Sequence, residues 1–102
     1  MEPGLAVTLN GVLFDECNES NGTMIETKGP RFAYLLRFSS IEANLVKDWT
    51  DQATRQVDAS GGRAIEWYFA EQAAADKARK IFNDNYDLRG KITVFTVPAE
   101  VP

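Results

Sequence analysis

The chain's own breaks are what most limit its fold. Asn21-Gly22, Gly29-Pro30, Ser60-Gly61-Gly62 and Gly90 divide it into short periodic segments. Between these breaks the apolar period switches between about two and about 3.6 residues, so the chain combines strands and helices. Leu5 to Asn10 alternates large apolar with smaller or polar residues, as a strand does. Gly11 interrupts it, and Val12 to Asp15 continues extended past a bulge or turn there. Asn18 to Gly22 is rich in turn formers and holds Asn-Gly, the strongest short hairpin signal. Met24 to Lys28 is the returning strand of an N-terminal antiparallel hairpin, stopped at Pro30, which cannot donate to a ladder. Arg31 to Phe38 fits either a strand or the approach to a helix. Ser39-Ser40 with Glu42 offers an N-cap, and a helix then runs to about Ala59. Ala64 to Phe69 is a strand with Ile65, Trp67 and Phe69 on one face. Gln72 to about Asn83 is a second helix with an Ala74, Ala78, Ile81, Phe82 stripe, and Lys91 to Val97 is the last strand, ended by Pro98. This order predicts an α/β or α+β fold, a mixed sheet with helices packed on it.

A length of 102 residues suits a single domain, 1–102. With 44% hydrophobic and 25% charged residues, the chain is neither disordered nor a coiled coil. No apolar run predicts a membrane span, and no signal peptide is visible at Met1. One cysteine, Cys17, excludes an internal disulfide and a multi-cysteine zinc site. The absence of histidine removes Ser-His and Cys-His catalysis. A net charge of -4 argues, taken alone, against nucleic acid. The charge is uneven, however. Residues 1–27 hold Glu2, Asp15, Glu16, Glu19 and Glu26 and no base, whereas residues 28–63 have a net charge of +2.

Glu26-Thr27-Lys28 on a strand places Glu26 and Lys28 on one face. Asp15 lies on the partner strand. A four-residue loop, Glu19 to Gly22, sets it opposite Glu26; a two-residue loop, Asn21-Gly22, sets it opposite Lys28. Both even loop lengths put the three charges on one face, with opposite Cβ atoms about 4.5–5.5 Å apart, whereas an odd-length loop would put Asp15 on the other face. Two carboxylates at that distance repel unless a cation separates them, and Mg²⁺ suits hard oxygen ligands together with a substrate phosphate. The lysine could orient or deprotonate water, or neutralise phosphate charge. For a short E-x-K alone, a cross-strand salt bridge on a solvated face is the competing reading.

On a helical wheel, Ile41, Leu45 and Trp49 define the apolar stripe of the first long helix. Gln52 and Gln56 fall inside or beside that stripe, where an amide needs partners. Either they sit where the stripe meets solvent, or the helix leans over the charged strand and a glutamine binds water or phosphate there.

Asp15 followed by Glu26-x-Lys28 resembles the D…E-x-K pattern of the PD-(D/E)XK nuclease superfamily. More closely, Ile25-Glu-Thr-Lys-Gly-Pro-Arg31, Trp49, Gln52-Ala-Thr-Arg-Gln56, Gly62-Arg-Ala-Ile-Glu-Trp-Tyr-Phe-Ala-Glu71, Ala75-Asp76 and Ile92 to Pro98 resemble a restriction-endonuclease-fold family, Tox-REase, of bacterial polymorphic toxins and type VI secretion effectors. The resemblance covers about Gly11 to Pro98. It implies a PD-(D/E)XK core and metal-dependent hydrolysis of nucleic acid, DNA before RNA. It implies Asp15, Glu26 and the Thr27 carbonyl as ligands of Mg²⁺ or Mn²⁺, Lys28 as the catalytic lysine, and Gln52 or Gln56 as the motif's glutamine. It implies a cognate immunity protein, a longer secreted effector of which this is the C-terminal part, and action in the cytoplasm of a target bacterium. Tyr68 stands where relatives often carry histidine. A second function class is a nuclease-like module that docks with another protein.

Among other residues, Glu66 and Tyr68 share a strand face that reads as solvated. Trp49, Trp67, Phe69 and Phe82 read as core rather than as stacking platforms. Cys17, among acids, reads as incidental. Arg31, Arg37, Arg55 and Arg63 are candidates for a phosphate groove, each by itself an ordinary surface arginine.

Overall fold

The computed structural model describes residues 7–9, 12–18 and 22–97. In chain order it contains β1 (Val7–Leu9), β2 (Val12–Phe14), β3 (Glu16–Asn18), β4 (Thr23–Lys28), α1 (Phe32–Leu35), α2 (Ser39–Ser60), β5 (Ile65–Phe69), α3 (Gln72–Asp84) and β6 (Ile92–Thr96). β1 and β2 pair antiparallel. The other four strands form one sheet in the order β3-β4-β5-β6. β4, β5 and β6 run parallel, and β3 lies antiparallel to β4. The fold is mixed α/β. Gly11, Glu19 to Asn21 and Pro98, on which turn readings rested, lie outside the described residues.

Parallel neighbours need long crossovers, and the helices supply them: α1 and α2 join β4 to β5, and α3 joins β5 to β6. Register aligns Met24, Glu26 and Lys28 with Ile65, Trp67 and Phe69, and Ile65 and Trp67 with Ile92 and Val94. Because strand side chains alternate, these residues share one sheet face, and α2 and α3 cover it. The stripe Ala74, Ala78, Ile81 and Phe82 of α3 is buried as its period requires. A run of edge-to-face rings ties the layers together. Phe32 meets Trp49 at 5.4 Å, Trp49 meets Phe69 at 5.3 Å, and Trp67 meets Phe82 at 5.1 Å. Such pairs contribute about 0.5–1.5 kcal/mol each beyond burial. All four aromatics assigned to the core from sequence are buried.

The other face carries Ile25, Thr27, Glu66, Tyr68, Thr93 and Phe95. Here Tyr68 stacks on Phe95 at 5.0 Å and donates its hydroxyl hydrogen to Glu66 at 2.7 Å. An apolar groove of about 540 Å³, bordered by Ile25, Thr27, Tyr68 and Val97, opens beside them. The outer strand β6 is guarded by Arg79 of α3, which donates to the Val94 carbonyl at 2.8 Å. That contact occupies an acceptor that a foreign strand would otherwise use.

Two local expectations are corrected. Ser39-Ser40 does not cap α2: the cap residue is Phe38, extended at φ -104°, and no side chain closes it. Turn bonds from Arg37 N–H to Tyr34 and from Phe38 N–H to Leu35 carry the chain directly from α1 into α2, so Ser39 is already helical. Val12 to Asp15 is not the strand opposite Met24 to Lys28: β2 pairs with β1, Asp15 is a bend, and the short β3 that follows it is the antiparallel partner of β4. At the other end of α2, Gly61 takes the left-handed conformation (φ 63°) that ends a helix with no Cβ penalty.

Candidate functional site

The E-x-K strand meets α2 through a commensurate spacing. Two residues along a strand rise about 6.6 Å. Four residues along a helix rise about 6 Å. Glu26 and Lys28 therefore present groups at the interval of Gln52 and Gln56, with the helix running opposite to the strand. Lys28 Nζ donates to Gln52 Oε1 at 2.7 Å, and Gln56 Nε2 donates to Glu26 Oε1 at 3.2 Å. Lys28 Nζ also lies 3.1 Å from Glu26 Oε2. Both oxygens of Glu26 are thus engaged, one by a cation and one by an amide.

Trp67 completes the array from the floor of the sheet. Its indole Nε1 donates to Gln56 Oε1 at 2.8 Å. This orients the Gln56 amide, leaving its NH₂ to face Glu26. Gln56 and Trp67 are fully buried, and Glu26 is 6% exposed. Lys28 Nζ stands 5.0 Å from the centre of the Trp67 ring, within cation–π range. A buried carboxylate is tolerated only when paired and hydrogen-bonded, and here it is both. Sequence reading took Trp67 as core alone. The available signal was Gln56 in an apolar stripe: a buried amide needs partners, and the indole N–H is the donor that an apolar sheet face can offer.

Asp15 is placed differently. Its Oδ2 accepts from Thr27 N–H at 2.7 Å and from Thr27 Oγ1 at 3.0 Å. The β3 register pairs Glu16 with Ile25 and Asn18 with Thr23, which corresponds to the four-residue loop. β4 extends past the end of that pairing, and the Asp15 carboxylate stands in for the missing strand at Thr27. The Thr27 side chain is on the face opposite Glu26, so Asp15 is turned to the strand edge and does not join Glu26 and Lys28 on one face. On the other edge the Lys28 carbonyl accepts from Ala70 N–H at 3.0 Å. Carbonyls alternate along a strand, so the Thr27 carbonyl points to the Asp15 edge.

The structure therefore brings Glu26, Lys28, Gln52 and Gln56 into one network and sets Asp15 and Thr27 beside it. Among the described residues, no three or more Cys, Asp or Glu side chains gather as a metal-binding group. Arg31, Arg37, Arg55 and Arg63 are all exposed. Arg63 does not share a groove with Lys28: it adjoins Ala64, whose carbonyl bonds Met24 N–H at the far end of β4. Cys17 is half-buried against the core. Among the described residues, no helix is long and apolar enough to cross a membrane.

A further carboxylate, Glu71, acts at the loop that follows the site. Its Oε1 accepts from Ala33 N–H at 3.0 Å, at the start of α1. This holds the Gly29-Pro30-Arg31 turn, in which Arg31 adopts a left-handed backbone (φ 86°). No protein-family model, curated protein or solved structure matches this chain.

Proposed function

We propose that this chain is a metal-dependent nuclease with a PD-(D/E)XK-like core. In this reading it hydrolyses phosphodiester bonds of nucleic acid, DNA before RNA. It acts as a toxin delivered into competing bacteria and is blocked in its producer by an immunity protein. The observation that carries the reading is the buried Glu26–Lys28 pair held between two glutamines of α2. The sequence resemblance in D…E-x-K and Gln-x-x-x-Gln assigns the same residues.

The donor set suits a hard divalent cation: the Asp15 carboxylate and the Thr27 carbonyl share one strand edge, and Glu26 is the adjacent residue. Asp15 uses only Oδ2 for its two bonds to Thr27, and each Glu26 oxygen has a second lone pair. Asp15, Glu26 and Thr27 are the residues that would hold Mg²⁺ or Mn²⁺. When bound, the ion supplies Lewis-acid stabilisation of charge on the phosphoryl oxygens. Lys28, fixed by Glu26 and Gln52, positions water for in-line attack or neutralises the phosphate. Gln52, half-buried and bonded to Lys28, is the glutamine placed to meet water or phosphate. Gln56, fully buried, orients Glu26.

The test incubates plasmid DNA with protein and Mg²⁺, beside EDTA and Glu26→Ala controls. Cleavage in the first tube alone supports the proposal; equal cleavage in all three sinks it. Expression of wild type and Glu26→Ala in a bacterium lacking the immunity protein should give killing with nucleoid loss for wild type only. The closed hydrogen bonding of Glu26 favours a second reading, a polar network that only shapes the core. It predicts that the Glu26→Gln, Lys28→Met double variant, which leaves no uncompensated buried charge, loses neither toxicity nor metal affinity.

A further inference from the structure

Lys28 is followed by a surface that the catalytic reading leaves unused. Tyr34 is 57% exposed and Phe38 43% exposed, and their rings meet edge to face at 5.3 Å. The Arg37 guanidinium carbon lies 5.6 Å from the Tyr34 ring centre. Arg31 and Arg37 are exposed, and among the described residues neither forms an ion pair. Residues 27–41 carry Lys28, Arg31 and Arg37 and no acid, in a chain whose net charge is -4.

We propose that Arg31, Tyr34, Arg37 and Phe38 form the surface that holds unpaired bases of a nucleic-acid single strand and leads it to Lys28. This rests on the nucleic-acid reading above and narrows its substrate. Exposed rings and a guanidinium plane stack on the face of any base, while arginine charge follows the phosphates. In a duplex the base faces are already stacked on one another, so this surface favours single strands or frayed ends. The local positive charge selects a polyanion over a protein partner, although the same residue types occur at protein interfaces.

The surface is built onto the site rather than placed beside it by chance of sequence. Arg31 lies three positions after Lys28, a reach of at most about 11 Å. Within α1, Phe32 packs inward on Trp49, one helical turn before Gln52, and Ala33 N–H is held by Glu71. The inward residues thus fix α1 to the same helix that positions Lys28, and the exposed Tyr34 of α1 and Arg37 of the turn that follows are presented beside it.

The test is fluorescence anisotropy with labelled strands of about 12 nucleotides, DNA and RNA, and the matching DNA duplex. The 102-residue chain is used in EDTA, as wild type and as Glu26→Gln, so that nothing is cut. Single strands should bind at least about tenfold more tightly than duplex, and Tyr34→Ala with Phe38→Ala should weaken that binding about ten- to a hundredfold. Arg31→Gly relieves the left-handed backbone, so it should weaken binding and lessen its salt dependence while the fold becomes no less stable. Equal affinity for duplex and single strand, or unchanged binding by the double aromatic variant, overturns the proposal, as does binding of a protein partner with no nucleic-acid affinity. The two readings fail separately. Glu26-dependent cleavage with an unaffected aromatic variant removes this surface alone. Patch-dependent binding with cleavage indifferent to Glu26 removes the nuclease assignment alone.

Discussion

Two lysine–carboxylate pairs in this protein have similar geometry and opposite meaning. Lys80 and Asp84, one turn apart on α3, meet at 2.8 Å with both side chains mostly exposed. Lys28 and Glu26 meet at a longer 3.1 Å, with side chains only 13% and 8% exposed. Distance alone would rank the surface pair first. Yet water screens that pair, and holding two long side chains together offsets much of its gain. The inner pair has lost its water, so every partner it retains matters: Gln52, Gln56, the Trp67 ring and each other. An ion pair is defined energetically by what surrounds it. The inner surroundings are also those in which a fixed lysine and carboxylate can do chemistry.

The largest expected effect tests the inner pair. Lys28→Met leaves a buried carboxylate with only Gln56 and should destabilise by about 3 kcal/mol or more in urea denaturation. Adding Glu26→Gln should restore most of that stability, because the uncompensated charge is gone. Cleavage should not return in the double variant, and each single variant should lose about 100-fold or more. If Lys28→Met is no more harmful than Lys80→Met, the contrast between the two pairs is wrong.

Next is the glutamine beneath the carboxylate. Gln56→Leu removes the acceptor of the buried Trp67 N–H and a donor to Glu26, and should cost about 2 kcal/mol. Combined with Trp67→Phe, a double-mutant cycle should show a coupling of about 1 kcal/mol. A coupling near zero would mean that the indole does not orient Gln56.

Asp15 separates stability from chemistry. Asp15→Asn keeps an oxygen for Thr27 N–H and should shift stability by less than about 0.5 kcal/mol. Magnesium-dependent cleavage should nevertheless fall sharply, since a negative ligand is lost. Retention of full activity would remove Asp15 from the ligand set.

The smallest effect belongs to the outer pair. The hydrogen bond and charge of Lys80 hold the Asp84 carboxyl below its ordinary value of 3.8. A depressed carboxyl contributes stability that is present above 3.8 and lost as pH falls through its folded value. Lys80→Met should let the Asp84 carboxyl rise toward 3.8 in an NMR titration, with no resolvable change in melting temperature at neutral pH and ordinary salt. A clear drop in melting temperature would show that the surface pair was underrated.

Much of this could be read from one dimension. The long helix expected to about Ala59 ends at Ser60, and the helix from Gln72 to about Asn83 ends at Asp84. Ile65, Trp67 and Phe69 face inward as their alternation required. The less legible stretch was Arg31 to Phe38, which holds only a four-residue helix, too short for a period to register. Its start depends on Glu71, thirty-eight residues away, accepting from Ala33. The same limit applied to Asp15, whose position depends on where β3 stops along β4.

By itself, then, the sequence determined the helices α2 and α3, the strands β4, β5 and β6, the inward face of β5 and the shared face of Glu26 and Lys28. These follow from local periods of two and about 3.6 residues, which act within a few positions. Only the tertiary structure decided that Gln52 takes Lys28, that Gln56 is clamped between Glu26 and Trp67, and that Asp15 turns to Thr27. Those bonds span 24, 30, 11 and 12 residues. They exist because α2 docks on the sheet at one height, and docking is set by the whole packed core of rings and alanines rather than by any local period.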